Sequence, residues 1–177
     1  MKLLVFSDTH RSLGIIQKIL AITNEMSPDL VIHLGDYYDD ITPDSLVGIP
    51  LIRVPGTWTA FYQNPMIENR RIEVFEGWRF LLSHTPEIDS HDLPDDPDPQ
   101  KLLKEGACDV FLHGHTHQAD LYQKEGVIIC NPGHLSEKDL RSDHSFAIMT
   151  LDSEILDITI QNLSSDNIIC SNSFEKR

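Results

Sequence analysis

The chain has 177 residues, 40% hydrophobic and 24% charged, with a formal net charge of −14. This length suits one domain with a sizeable core, and the composition is ordinary for a globular protein. The acidity argues against general affinity for nucleic-acid phosphates, which needs clustered Lys and Arg, and suits a surface that collects cations.

Leu3 to Phe6 is a short, wholly apolar run, as expected of a strand buried on both faces, and it ends in Ser7-Asp8-Thr9-His10. A helical pattern follows from Ser12 to Met26, with Leu13, Ile16, Ile19, Leu20 and Thr23 spaced by three and four. Ser12 is placed as its N-cap, and Ser27-Pro28 closes it. Leu30 to Leu34 is a second buried strand, running directly into Gly35-Asp36. Strand, helix, strand reads as a right-handed parallel unit, whose functional groups gather beyond the carboxyl ends of its strands. His33 lies inside the strand and is expected to be a core histidine.

The apolar run Ile49 to Val54 ends in Pro55-Gly56-Thr57-Trp58-Thr59. Arg71 to Phe75 and Trp78 to Ser83 read as a hairpin turning at Glu76-Gly77 and ending in His84. Thr85 to Pro99 holds four prolines and six acidic residues and reads as a mobile acidic loop, with a lid beside the site as the alternative. Pro99 starts a short helix with Leu102, Leu103 and Ala107 on its apolar face. A strand from Asp109 to Leu112 then delivers His113-Gly114-His115-Thr116-His117. In an extended chain, residues i and i+2 share a side, so His115 and His117 are expected to aim into one volume. Val127 to Cys130 runs into Asn131-Pro132-Gly133-His134, and Ser145 to Leu151 with Ile155 to Ile160 makes a closing hairpin. Residues 1–163 are expected to form one domain, and 164–177 a polar tail that is partly disordered.

Cys108, Cys130 and Cys170 show no CxxC spacing, which fits a reducing cytoplasm. The N-terminal apolar run is too short for a signal peptide, and no stretch approaches the roughly 20 apolar residues of a membrane span. The expectation is a soluble cytoplasmic protein that does not bind membranes; self-association into a homo-oligomer stays open.

Asp8, His10, Asp36, His84, His115 and His117 each follow directly after a strand. Any one of them has a dull explanation, but all are Asp or His, and a mostly parallel sheet brings its strand ends to one edge. Mixed carboxylate and imidazole without thiolate suits Mn²⁺, Fe²⁺, Zn²⁺, Co²⁺ or Ni²⁺. Six side chains exceed the needs of one open ion and suit two ions sharing a carboxylate. Such a pair could hold a hydroxide for in-line attack on phosphorus.

The order Asp-x-His, Gly-Asp, Gly-x-x-x, His and Gly-His-x-His resembles the calcineurin-like metallophosphoesterases, from Met1 to about Ile160. The short length and Asn131-Pro132-Gly133 point to the small YfcE-like phosphodiesterase branch. The resemblance implies an α/β, four-layer α-β-β-α sandwich and a metal-dependent phosphodiesterase acting on a small phosphorylated substrate. It implies one or two divalent ions, Mn²⁺ foremost, with Asp8, His10 and His117 on the first, His84 and His115 on the second, and Asp36 bridging. One motif departs. Where the family carries Gly-Asn followed by His or Cys and then Asp, this chain has Gly56-Thr57-Trp58-Thr59. Losing the Asn amide oxygen is expected to weaken the second metal site. Thr57, Trp58 and His134 are placed beside the substrate, with His134 standing in for the missing imidazole. The alternative is a catalytically impaired relative that serves as a protein-interaction scaffold, like the retromer subunit of the same fold, or as a metal-binding module.

Overall fold

The structure, a computed structural model, describes residues 1–165 and 167–176. Strand β1 (Lys2–Phe6) shows why its run is apolar throughout. Leu3 and Val5 enter one core cluster while Leu4 and Phe6 enter another on the opposite face. The second cluster is closed by helix α1 (Leu13–Met26), which buries Ile15, Ile16 and Ile19 against β1. Ser12 sits at the N-cap but makes no capping bond; its Oγ accepts the Glu137 N–H at 3.0 Å, tying α1 to a distant loop. Ser27 ends the helix in the left-handed conformation, with its N–H on the Thr23 carbonyl.

Strands β2 (Leu30–His33) and β3 (Leu51–Arg53) pair in parallel beside β1, as the strand-helix-strand reading requires. Strands β4 (Arg70–Phe75) and β5 (Trp78–Ser83) form the expected hairpin, with positive φ at both Glu76 and Gly77. Helix α2 (Pro99–Lys104) is capped by Asp98, whose carboxylate accepts from the Gln100 and Lys101 N–H groups. Strands β6 (Val110–Leu112), β7 (Asp120–Lys124) and β8 (Val127–Asn131) follow, then β9 (Ser145–Leu151), β10 (Ile155–Asn162) and β11 (Ile168–Glu175).

Two strands were not expected. β7 is a polar edge strand paired to β8, and β11 occupies most of the segment read as a tail. Both are held by ladder hydrogen bonds to a neighbour rather than by an apolar face. In β11 only Phe174 is buried.

The strands form two sheets, ordered β11-β10-β9-β1-β2-β3 and β4-β5-β6-β8-β7. Their facing sides share one core, in which Leu3, Val5 and Ile32 meet Phe80, Val110 and Ile128. The outer face of the second sheet packs Leu81, Phe111 and Ile129 under Leu102 and Leu103 of α2. The layers are therefore α1, sheet, sheet, α2, the expected four-layer sandwich. Parallel pairing of β1-β2-β3 and β5-β6-β8 sends six carboxyl ends to one edge. Among the described residues, no helix is long and apolar enough to cross a membrane.

Candidate metal centre

The loops leaving β1 and β6 carry the first donors, and both are tightly wound. Asp8, His10, His115 and His117 all have positive φ, between 47° and 69°. This region costs a residue with a Cβ roughly 1 kcal/mol or more and concentrates at functional sites. The extended-chain expectation for His115 and His117 is thereby corrected: the two rings diverge to different partners. Gly114 explains how the loops come together. A Cβ there would strike the Ser7 hydroxyl and stand 2.6 Å from Asp8 Oδ2. The same Oδ2 accepts the His115 N–H at 3.0 Å.

His117 Nε2 lies 2.9 Å from His10 Nε2 and 3.4 Å from Asp8 Oδ1. The opposite nitrogens of both rings face carboxylates: His10 Nδ1 is 2.9 Å from Asp36 Oδ2, and His117 Nδ1 is 2.6 Å from Asp139 Oδ2. A nitrogen against a carboxylate carries the proton, so in each neutral ring Nε2 holds the lone pair. Two such lone pairs and an Asp8 oxygen converge, with all three ligand atoms within 4.8 Å of one another. They repel unless a cation lies among them, so the donor set fits a divalent ion. Burial alone would raise the Asp8 carboxyl, but the His117 hydrogen bond and the His84 and His117 charges hold it well below the usual range. When His117 is protonated on both nitrogens its Nε2–H can donate to Asp8, and this, against the opposing effect of burial, shifts its titration upward.

The second pair is thinner. His84 is buried, and its Nδ1 donates to the Leu34 carbonyl at 2.8 Å, which turns its Nε2 toward His115 Nδ1 at 3.3 Å. Asp8 Oδ1 is 4.0 Å from His84 Nε2. Among the described residues, no group of three or more close ligands contains His84 or His115. Asp36 is buried against His10, and the Gly56 N–H donates to its carbonyl at 2.8 Å. A Cβ at Gly56 would collide with the Asp36 backbone, so the departing motif still needs its glycine. Thr57 is buried next to it, whereas Trp58 is 74% exposed with its ring 4.9 Å from His91.

His134 is not where it was expected. It is fully buried and stacked on the His117 ring, with centroids 5.0 Å apart. Its Nδ1 accepts the Ser136 N–H at 3.1 Å, so Nε2 carries the hydrogen and donates to Ser142 Oγ at 3.1 Å. Both nitrogens are engaged, and His134 supports His117 rather than facing a substrate. His33 is the buried core histidine expected, pushed down to about 3 by burial. The acidic loop is tied down rather than loose. Arg70, whose side chain is fully enclosed, donates to Thr85 Oγ1 at 3.0 Å and to Asp92 Oδ2 at 2.8 Å, and Tyr62 donates to Asp92 at 2.5 Å.

Sequence reasoning missed Asp139 and Arg141. They lie in a loop of mixed charge with no motif, and the sole hint was their place just after Asn131-Pro132-Gly133.

Residues 1–154 match the calcineurin-like phosphoesterase superfamily domain. The chain is 31% identical over 138 residues to a probable metallophosphoesterase of Mycoplasma pneumoniae, covering 76% of this chain and 79% of that protein. It is 25% identical over 146 residues to a phosphodiesterase of Methanocaldococcus jannaschii, covering 75% and 83%. Among solved structures, the Escherichia coli phosphoesterase YfcE aligns with a TM-score of 0.68 at 22% identity, covering 97% of this chain and 98% of that one. Entamoeba histolytica Vps29 complexed with Zn²⁺ aligns at 0.69 and 20% identity, covering 99% of each. At these identities both likenesses speak for the fold, and they do not separate a YfcE-like branch from a Vps29-like one. The matched span takes in every strand end that carries a donor, and the chain belongs to the calcineurin-like phosphoesterase superfamily.

Proposed function

We propose that the protein is a metal-dependent phosphodiesterase of the YfcE-like branch, acting in the cytoplasm on a small phosphorylated compound. The observation that carries this reading is the convergence of Asp8 Oδ1 with the His10 and His117 Nε2 lone pairs. Asp8, His10 and His117 hold the first ion, Mn²⁺ foremost. His84 and His115 offer a second, weaker position, and Asp36, the bridge that the family resemblance implies, here meets His10 Nδ1 at 2.9 Å. When bound, such ions supply a nucleophilic water at neutral pH and positive charge for the phosphoryl oxygens. The chain's own part is to fix Asp8, His10, His115 and His117 on left-handed turns, and we assign Thr57 and the exposed Trp58 ring to the substrate.

The test is hydrolysis of bis-p-nitrophenyl phosphate and of the monoester, with added Mn²⁺ and with EDTA. The expected result is Mn²⁺-dependent turnover that favours the diester. No Mn²⁺-dependent turnover of either ester would overturn the proposal. The scaffold or metal-binding reading is favoured by Thr57 in the place of an asparagine and by the two-imidazole second cluster. It predicts metal uptake without turnover.

A further inference from the structure

His117 is held from three sides by the loop between β8 and β9. Asp139 Oδ2 meets its Nδ1 at 2.6 Å, the His134 ring stacks on its face, and Ser142 Oγ donates to its carbonyl at 3.2 Å. Asp139 is itself clamped. Arg141 Nε and backbone N–H donate to its Oδ1 at 2.9 and 3.0 Å, and Arg141 Nη2 donates to Oδ2 at 2.6 Å. The Asp139 side chain is only 8% exposed, although Arg141 lies largely in solvent. The loop is anchored at its base by the Glu137–Ser12 bond and by Ser136 on His134.

His117, His134 and Asp139 also stand close enough together to suggest a metal site of their own. Their hydrogen bonds speak against it. His134 has no free lone pair, because Nδ1 accepts from Ser136 and Nε2 carries a hydrogen. His117 Nδ1 holds the proton it donates to Asp139. The arrangement instead matches the carboxylate–histidine–metal relay, in which an outer carboxylate fixes tautomer and ring orientation.

We propose that Asp139, aligned by Arg141, is a positioning residue that locks the proton on His117 Nδ1 and so keeps the Nε2 lone pair aimed at Asp8 and His10. This rests on the reading that Asp8, His10 and His117 bind a divalent ion. Without Asp139 the neutral ring is free to place its proton on either nitrogen, and the Nε2–H form cannot ligate. The loop thus gives His117 a carboxylate partner where His84 has a backbone carbonyl.

The test compares the full-length protein with Asp139→Ala, Asp139→Asn and Arg141→Ala. Nitrogen-15 spectra of the metal-free protein, at a pH above the His117 titration, report which ring nitrogen bears the proton. Titration calorimetry with Mn²⁺ reports the first-equivalent affinity. Wild type is expected to show the Nδ1–H form alone. Asp139→Ala is expected to show a mixture and to bind Mn²⁺ about 10- to 100-fold more weakly. Arg141→Ala should give a smaller loss of the same sign. If Asp139→Ala unfolds, Asp139→Asn preserves the shape: the two Arg141 donors at the Oδ1 position keep the amide oxygen there, so the amide NH2 faces His117 Nδ1 and is expected to drive the ring to the Nε2–H form. An unchanged Nδ1–H tautomer and unchanged Mn²⁺ affinity in a folded Asp139 variant would overturn the inference. A wild type that binds Mn²⁺ without hydrolysing either ester would instead overturn the proposed activity and leave this inference standing.

Discussion

His10 Nε2 and His117 Nε2 stand 2.9 Å apart although 107 residues separate them in the chain. Each ring spends its other nitrogen on a carboxylate, Asp36 for His10 and Asp139 for His117. The contact therefore brings two lone pairs together, which a bound cation relieves. Among the described residues, no third ligand stands close enough to complete the His84–His115 contact at 3.3 Å. The two positions are unequal, and the difference is measurable.

His117→Ala is expected to remove the tight Mn²⁺ equivalent, weakening it by more than about 100-fold, the upper end of the loss from an outer-shell partner. His84→Ala should leave that equivalent in place and remove only the weaker one. Thr57→Asn, which restores an amide oxygen, is expected to tighten the second equivalent by about tenfold. Calorimetric titration with Mn²⁺ checks all three. Two equally tight sites in wild type would contradict this asymmetry.

Trp58 is 74% exposed, so its removal should alter stability by no more than about 0.5 kcal/mol. Its ring pairs with His91, and Asp89 fixes that imidazole through a 2.7 Å contact to Nδ1. An aryl group stacked there gains roughly 0.5–1.5 kcal/mol. Trp58→Ala is therefore expected to raise KM for bis-p-nitrophenyl phosphate roughly 2- to 10-fold with kcat little changed. Steady-state kinetics beside a thermal melt separates this from a folding defect.

Arg70 reaches Asp92 at 2.8 Å from a fully enclosed position, with Asp96 at 3.8 Å. Arg70→Met leaves those carboxylates without their counter-charge in a mostly buried setting. Breaking such a pair costs about 3–5 kcal/mol, and the slight exposure of Asp92 places this one near 3. Urea denaturation should show the loss, and limited proteolysis should cut sooner between residues 85 and 98.

His33 titrates at about 3 in the folded protein because burial disfavours its charged form, with the Asp8 charge opposing. An unfolded histidine takes up its proton near 6.5, so below that pH the unfolded chain binds a proton that the fold excludes. Stability is full above about 6.5 and falls by about 1.4 kcal/mol per pH unit as the pH drops toward 3. His113, His115 and His134 are also shifted downward by burial and act in the same direction, whereas His117 is shifted upward and acts oppositely. Comparing urea midpoints of metal-free wild type and His33→Leu between pH 7 and about 4.5 isolates the His33 share. Parallel curves would contradict it.

Strand ends and their donors were legible in the sequence because they depend on local pattern. The run Leu3 to Phe6 is apolar on both faces since both faces are covered, and Asp8 and His10 follow its end in the chain. Strands β7 and β11 were not legible, because a polar edge strand is stabilised by its partner's backbone and leaves no hydrophobic alternation. The acidic loop read as mobile because nothing near it in sequence shows that Arg70, buried in β4, reaches back to Asp92.

By itself the sequence singled out the set of candidate ligands: Asp and His placed directly after apolar runs, where parallel strands end. Tertiary structure alone decided which groups those side chains meet. Left-handed turns at His115 and His117 send neighbouring imidazoles to different partners, against the extended-chain expectation. Folding buried His134 and stacked it on His117. A loop with no motif brought Asp139 to His117. Ligand type is a property of each side chain and can be read one residue at a time. Which nitrogen holds the proton depends on the group opposite, and between residues 22 positions apart in the chain only folding supplies that group.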